Sequence, residues 1–115
     1  MLLPEHYQVQ TYETQEGDVP FESWIRDLRD RNARARIRKR IKRVESGALG
    51  DYRFVGDGVS EFKIDYGPGY RIYAAQVGLT ILILLCGGDK GTQGQDIVQA
   101  KKFLADFKER THGNP

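Results

Sequence analysis

The stretch from Tyr52 to Cys86 most constrains what this chain can fold into, because β-favouring runs follow one another there with only glycine-marked breaks between them. Tyr52-Arg53-Phe54-Val55, Val59 to Tyr66, Tyr70 to Gln76 and Leu79 to Cys86 are separated by Gly56-Asp57-Gly58, Gly67-Pro68-Gly69 and Val77-Gly78. Breaks this short join neighbouring antiparallel strands and leave no room for a crossover helix. An antiparallel meander is therefore predicted. Its last run, Leu79-Thr80-Ile81-Leu82-Ile83-Leu84-Leu85, is apolar on both faces, which places it centrally with material packed on each side. The earlier runs alternate and expose one face.

On the N-terminal side, Tyr7 to Glu13 alternates loosely and reads as a first strand, interrupted by Gly17-Asp18-Val19-Pro20. Pro20 is suited to the first turn of a helix, and Phe21, Trp24, Ile25 and Leu28 follow at helical spacing. A second helix is predicted from Asn32 as its N-cap, with Ala33, Ile37, Ile41 and Val44 on one stripe and an end near Gly47 and Gly50. Together they read as a helical hairpin. After the meander, Gly87 to Gly94 reads as a flexible polar loop leading to a closing helix with Ile97, Ala100, Phe103, Leu104 and Phe107 on its apolar side. The tail from Thr111 to Pro115 is expected to fray. The order gives an α+β class with helices segregated from the meander, in one domain over residues 1–115 with an ordered core of about residues 7–110.

A chain of 115 residues supports one modest core, and with 39% hydrophobic and 30% charged residues it is neither disordered nor a membrane protein by composition. The start, Met1-Leu2-Leu3-Pro4-Glu5-His6, lacks the charged and apolar regions of a secretion signal. The single Cys86 has no disulfide or metal-spaced partner, so a reducing, cytoplasmic setting with no structural metal is expected. Charge is distributed unevenly. Arg31 to Arg43 holds eight basic residues and no acid, so a chain of net charge +2 carries −6 elsewhere. Such a block is either a solvated helix face or an attractor of polyanions and acidic partners.

The strand, glycine-rich loop and helix around Lys90 do not make a nucleotide-binding P-loop, because Lys90 precedes Gly91 where that motif needs lysine after its second glycine. His6 and His112 lie near opposite ends and read as surface residues; Trp24 reads as core and Cys86 as an inert small hydrophobe. More informative are Lys63, Tyr66, Tyr70, Arg71, Tyr73 and Lys90 on the meander and the loop behind it. Lys63 and Arg71 flank one hairpin and can share a face, with Lys90 leaving the adjacent strand. Three cations gathered on a sheet suit a phosphodiester and its transition state, and tyrosines among them suit unpaired bases. Solvated strand faces also carry such residues without any site, so both readings stay open at this point.

Five segments then read together as a known pattern: Phe21-x-x-Trp24-Ile25-x-x-Leu28; Arg36-Ile37-x-x-Arg40-Ile41-x-x-Val44-Glu45-x-Gly47; Val55-Gly56-Asp57-Gly58-Val59-x-Glu61-Phe62-Lys63-Ile64; Tyr66-Gly67-Pro68-Gly69-Tyr70-Arg71-Ile72-Tyr73; and Leu85-x-Gly87-Gly88-Asp89-Lys90-x-x-Gln93-x-x-Asp96-Ile97. In this order they resemble the addiction-module killer proteins, a branch of the RelE/ParE toxin superfamily close to HigB-type toxins. The resemblance implies a RelE-like fold, an N-terminal strand and helical hairpin packed on a twisted antiparallel sheet with a C-terminal helix. It implies the toxin of a type II toxin–antitoxin system, a ribosome-dependent, metal-independent messenger-RNA endonuclease that inhibits translation, with no cofactor. Its partners would be a helix-turn-helix, HigA-like antitoxin, the ribosome and messenger RNA, with no membrane. The alternative within the same fold is a ParE-like DNA gyrase inhibitor or a non-catalytic binding member.

By this resemblance Arg71 matches the arginine on the scissile phosphate, Lys63 a basic residue steadying the phosphate, and Lys90 a cation on the transition state or leaving group. Arg34, Arg38, Arg40 and Arg43 of the basic helix, with Tyr73 and Gln93, are the expected RNA and ribosome contacts. The chain departs from RelE itself near the start of the last helix, where Gln93 and Asp96 stand and no tyrosine is found.

Overall fold

The structure, a computed structural model, describes residues 5–112. The readings of residues 1–4 and 113–115 lie outside the described residues. In chain order the elements are β1 (Gln8–Thr11), α1 (Pro20–Asp27), α2 (Arg31–Glu45), β2 (Tyr52–Gly56), β3 (Val59–Ile64), β4 (Tyr70–Val77), β5 (Ile81–Gly88), a 3-10 turn (Lys90–Thr92) and α3 (Gln93–His112). The strands form one five-stranded sheet in the order β1-β5-β4-β3-β2. β2 to β5 are the antiparallel meander that their glycine-marked turns require.

β1 pairs parallel with β5, Gln8 facing Ile81 and Thr11 facing Leu84, so the sheet is mixed and not purely antiparallel. The long excursion through both first helices and the meander permits this parallel return, which a tight turn cannot make. It also gives β5 a neighbour on each edge. Leu82 and Leu84 of β5 then pack under α1 and α2 with Phe21, Ile25, Ile37 and Ile72, while Ile83 and Leu85 pack under α3 with Tyr73, Ala100 and Leu104. The doubly apolar strand thus has the position its composition demands. Helices cover both faces of the sheet, two on one side and α3 on the other, which corrects the expectation of helices segregated from the meander.

Local chemistry explains the helix ends. Pro20 opens α1, and Asp30 caps α2 by accepting hydrogen bonds from the backbone N–H groups of Asn32 at 2.9 Å and Ala33 at 3.2 Å. Asn32 is therefore inside the helix, not its cap; the carboxylate two residues earlier is the better acceptor at the positive end. α3 continues through His112, beyond the point where fraying is expected.

Gly87 and Gly88 belong to β5, not to a flexible loop. A bulge opposite Tyr73 and Ala74 turns both Leu85 and Cys86 toward α3, after which Gly87 faces α1 and Gly88 faces α3. Trp24 then lies so close that a Cβ on residue 87 would stand 2.2 Å from its ring, and a Cβ on residue 88 would stand 1.8 Å from Asp96 Oδ2. The rest of the expected loop is ordered by Asp89, whose side chain accepts from the Gly91 N–H at 2.8 Å in a capping box with Thr92.

Gly87→Ala should therefore cost about 1–3 kcal/mol through overpacking, with a shifted emission from Trp24, the only tryptophan in the chain. Gly94→Ala, in α3 with nothing within 4 Å of its Cβ position, should instead raise stability by about 0.5–1 kcal/mol. Urea unfolding followed by tryptophan fluorescence measures both, and equal effects at the two positions would contradict the packing described.

Candidate nucleic-acid interface

Strand register brings the chemistry together. Lys63 stands opposite Arg71, Glu61 opposite Tyr73, and Arg53 opposite Glu61, so all five side chains belong to the sheet face that α3 covers. Where α3 begins, the sheet is left open: Asp51, Tyr52, Arg53, Glu61, Lys63, Arg71 and Gln93 line a groove of about 360 Å³. Arg53 and Lys63 are its exposed cations. Its floor is made of buried groups.

Glu61 organises that floor. Its carboxylate is 4% exposed and accepts hydrogen bonds from Arg53 Nε at 2.8 Å, the Tyr73 hydroxyl at 2.9 Å and Gln93 Nε2 at 2.8 Å. Burial alone would raise its pKa, but the bonds from Arg53, Gln93 and Tyr73 outweigh burial and hold the carboxyl below its ordinary value. Tyr73 is pushed the other way: burial first, then its bond to the Glu61 carboxylate, raises its hydroxyl well above the usual range.

Arg71 corrects an expectation. Its side chain is only 9% exposed, where cations gathered on a solvated strand face would lie open. The physical reason is the neighbouring acid: Arg71 Nε lies 3.5 Å from Glu61 Oε2, and its Nη1 donates to the Gly69 carbonyl at 2.9 Å. The Nε–H is nonetheless a buried donor without a hydrogen-bond acceptor among the described residues. Arg71 faces Lys63 across the hairpin and contributes to the groove wall, so it is embedded in the site without being cut off from it.

The other predicted residues divide sharply. Gln93 lines the groove, while Lys90 is exposed on the 3-10 turn beside Gly69 and outside the groove lining. Tyr73 is fully buried and cannot stack on a base. Tyr70 is buried on the opposite face against Trp24, and Tyr66 donates to Asp30 at 3.1 Å beside α2. Arg34 donates to the Leu28 carbonyl at the end of α1, and Arg38 pairs with Glu22 at 3.1 Å, so both tie the helical hairpin together. Arg40 is 9% exposed and bonds to the backbone of the sheet, so it is not a freely projecting contact. Arg43 is exposed. Cys86 is inert, its thiol pushed up to about 12 by burial and then by Asp96.

Sequence reasoning missed Arg53 and Glu61 as site residues, and named Asp96 only as standing with Gln93 where RelE has its tyrosine. Arg53 and Glu61 occupy paired positions of one hairpin, a signal available only once the register around the Gly56-Asp57-Gly58 bulge is known. Asp96 packs over Gly88, the cross-strand partner of Arg71, and its carboxyl is raised by burial and by Asp89 against a lowering bond from Thr92. Glu61 and Asp96 are thus displaced in opposite directions.

The chain is 49% identical over 89 residues to an uncharacterized protein of Haemophilus influenzae, an alignment covering 77% of this chain and 90% of that one. No family model matches.

Because the folded-state pKa of Glu61 is depressed, its contribution to stability is present above the unfolded value of about 4.3 and is lost as pH falls through the folded value. Glu61→Gln should cost about 3 kcal/mol at neutral pH by leaving the buried Arg71 charge unpaired, and its stability should fall less steeply than wild type below about pH 4.3. Urea unfolding across pH 3–7 tests this; parallel curves for the two proteins would remove Glu61 from the role assigned to it.

Proposed function

We propose that this chain, which belongs to the same family as the Haemophilus influenzae protein, is the toxin of a type II toxin–antitoxin pair with a RelE-like fold and HigB-type activity, cutting messenger RNA on the ribosome in the cytoplasm. The observation that carries this reading is the cross-strand pair of Lys63, exposed, and Arg71, at the floor, in one groove with Arg53 and Gln93. Cations at two depths suit a phosphodiester: Arg53 and Lys63 meet the approaching phosphate, and Arg71 adds a fixed positive field beneath it. The resemblance to RelE/ParE toxins supplies the reaction class.

In that reaction the ribose 2′-oxygen loses its proton and attacks the adjacent phosphorus, the P–O5′ bond breaks, and the departing 5′-oxygen takes up a proton from water, leaving a 2′,3′-cyclic phosphate and a 5′-hydroxyl. The phosphorane-like transition state carries additional negative charge, which Lys63 and Arg71 stabilise. Glu61 is a poor proton acceptor because three donors occupy it. Asp96 lies outside the groove lining and accepts from the Thr92 hydroxyl, so the 2′-hydroxyl proton passes to water. The ribosome supplies the RNA conformation, and a helix-turn-helix antitoxin encoded nearby would restrain the activity.

A second reading, a ParE-like gyrase inhibitor or a non-cleaving binder of the same fold, is favoured by one observation: Arg71 is already engaged by Glu61 and the Gly69 carbonyl.

Lys63→Gln, at an exposed position, should keep the fold and lower cleavage of translated messages about 10²-fold, read as RNA 5′ ends mapped after brief induction. Cleavage at the wild-type rate would reject the site, and cleaved DNA with intact messages would establish the gyrase reading.

A further inference from the structure

A second groove lies between α2 and the β3–β4 hairpin, with a volume of about 510 Å³, and Arg36, Lys39, Arg40, Arg43 and Lys63 among its walls. Its carboxylates are Asp51 and Asp65, so cations outnumber acids five to two. Arg40 is its most unusual member. It is nine-tenths buried, yet Nε donates to the Lys63 carbonyl at 3.2 Å and Nη2 to the Asp51 carbonyl at 3.0 Å, both neutral acceptors. No carboxylate lies within ion-pair distance of it among the described residues. A buried cation so placed retains a charge that an anion in the groove would offset.

Lys63 and Asp51 line this groove and also the groove over Arg71. The two clefts therefore meet at Lys63, whose backbone N–H is held by the Asp51 carbonyl at 3.1 Å. Beside the second cleft, the Arg36 guanidinium lies over the Tyr66 ring at 4.4 Å, and a guanidinium held in this way is a platform on which a base can stack.

We infer that the α2 groove binds the backbone of the same single-stranded RNA, so that one strand passes from Arg36, Lys39 and Arg43 by way of Lys63 into the groove over Arg71. This rests on the reading that the ligand is RNA. It also changes which face of α2 matters: the contacts are Arg36, Lys39 and Arg43, while Arg34 and Arg38 hold the helical hairpin. A flexible single strand with a phosphate on every nucleotide can follow a path that turns between two clefts; a rigid duplex cannot.

The test is binding of a fluorescent oligouridylate of about 12 nucleotides, within the span such grooves take, to the whole chain as a function of salt. The Arg36→Gln/Lys39→Gln/Arg43→Gln triple variant spares Arg40, which holds α2 on the sheet. It should weaken binding at least tenfold and reduce the log–log salt slope by about 2, at roughly 0.7 per lost phosphate contact. Arg53→Gln in the other groove should weaken the same oligonucleotide, with one strand bound per protein. An unchanged slope in the triple variant, two oligonucleotides per protein, equal competition by an acidic peptide, or no binding at low salt would each overturn the inference. Its failure is distinguishable from that of the nuclease reading, since Lys63→Gln cleavage on ribosomes is scored separately and Arg53→Gln and the triple variant leave Lys63 in place.

Discussion

One buried carboxylate holds the candidate site in shape. Glu61 receives Arg53, Tyr73 and Gln93 by hydrogen bonds and Arg71 by charge, thereby joining β2, β3, β4 and the first turn of α3 through a single group. Without it, two guanidiniums would face each other from either side of β3, and the N-terminal end of α3 would lose its Gln93 hydrogen bond to the sheet. Burying ionised groups is unfavourable unless they are paired and bonded, so the pairing has to be nearly complete for the chain to fold this way. Among the described residues it is incomplete at Arg71 Nε, a buried donor of a residue that lines the groove.

The sheet supports this arrangement by being covered unequally. α1 and α2 bury one face around Phe21, Ile37 and Ile72, whereas α3 covers only part of the other and leaves a wall containing Arg53, Lys63 and Gln93 open. The bulge in β5 and the two glycines after it let Trp24 and Asp96 approach the same strand from opposite sides. Close approach of this kind is a packing use of glycine and does not imply mobility.

Much of the architecture could be read from periodicity. The glycine-marked breaks identify the meander, and the doubly apolar run identifies an interior strand, because both are local statements about backbone and burial. The parallel return of β1 could not be read, since it depends on which edge of β5 is free after the meander has formed. At the site, the pairing of Lys63 with Arg71 followed from a short turn between them. Three facts needed three-dimensional information: the burial of Arg71 by Glu61, the withdrawal of Tyr73 into the core, and the use of Arg34, Arg38 and Arg40 as structural ties. A charge run on a helix does not reveal which members meet carbonyls and acids and which face solvent.

The position of β1 bears on how the chain acquires its shape during synthesis. Gln8 has no partner until Ile81 exists, and at about 5–20 residues per second the intervening stretch takes roughly 4–15 s to be made. The first strand to leave the ribosome is thus among the last to be paired, and until then β5 has no backbone donors and acceptors beside it on that side. Closure of the sheet is consequently a late event: the β2–β3 and β3–β4 hairpins can pair as they emerge, whereas the outer edge of β5 is filled only when β1 returns to it.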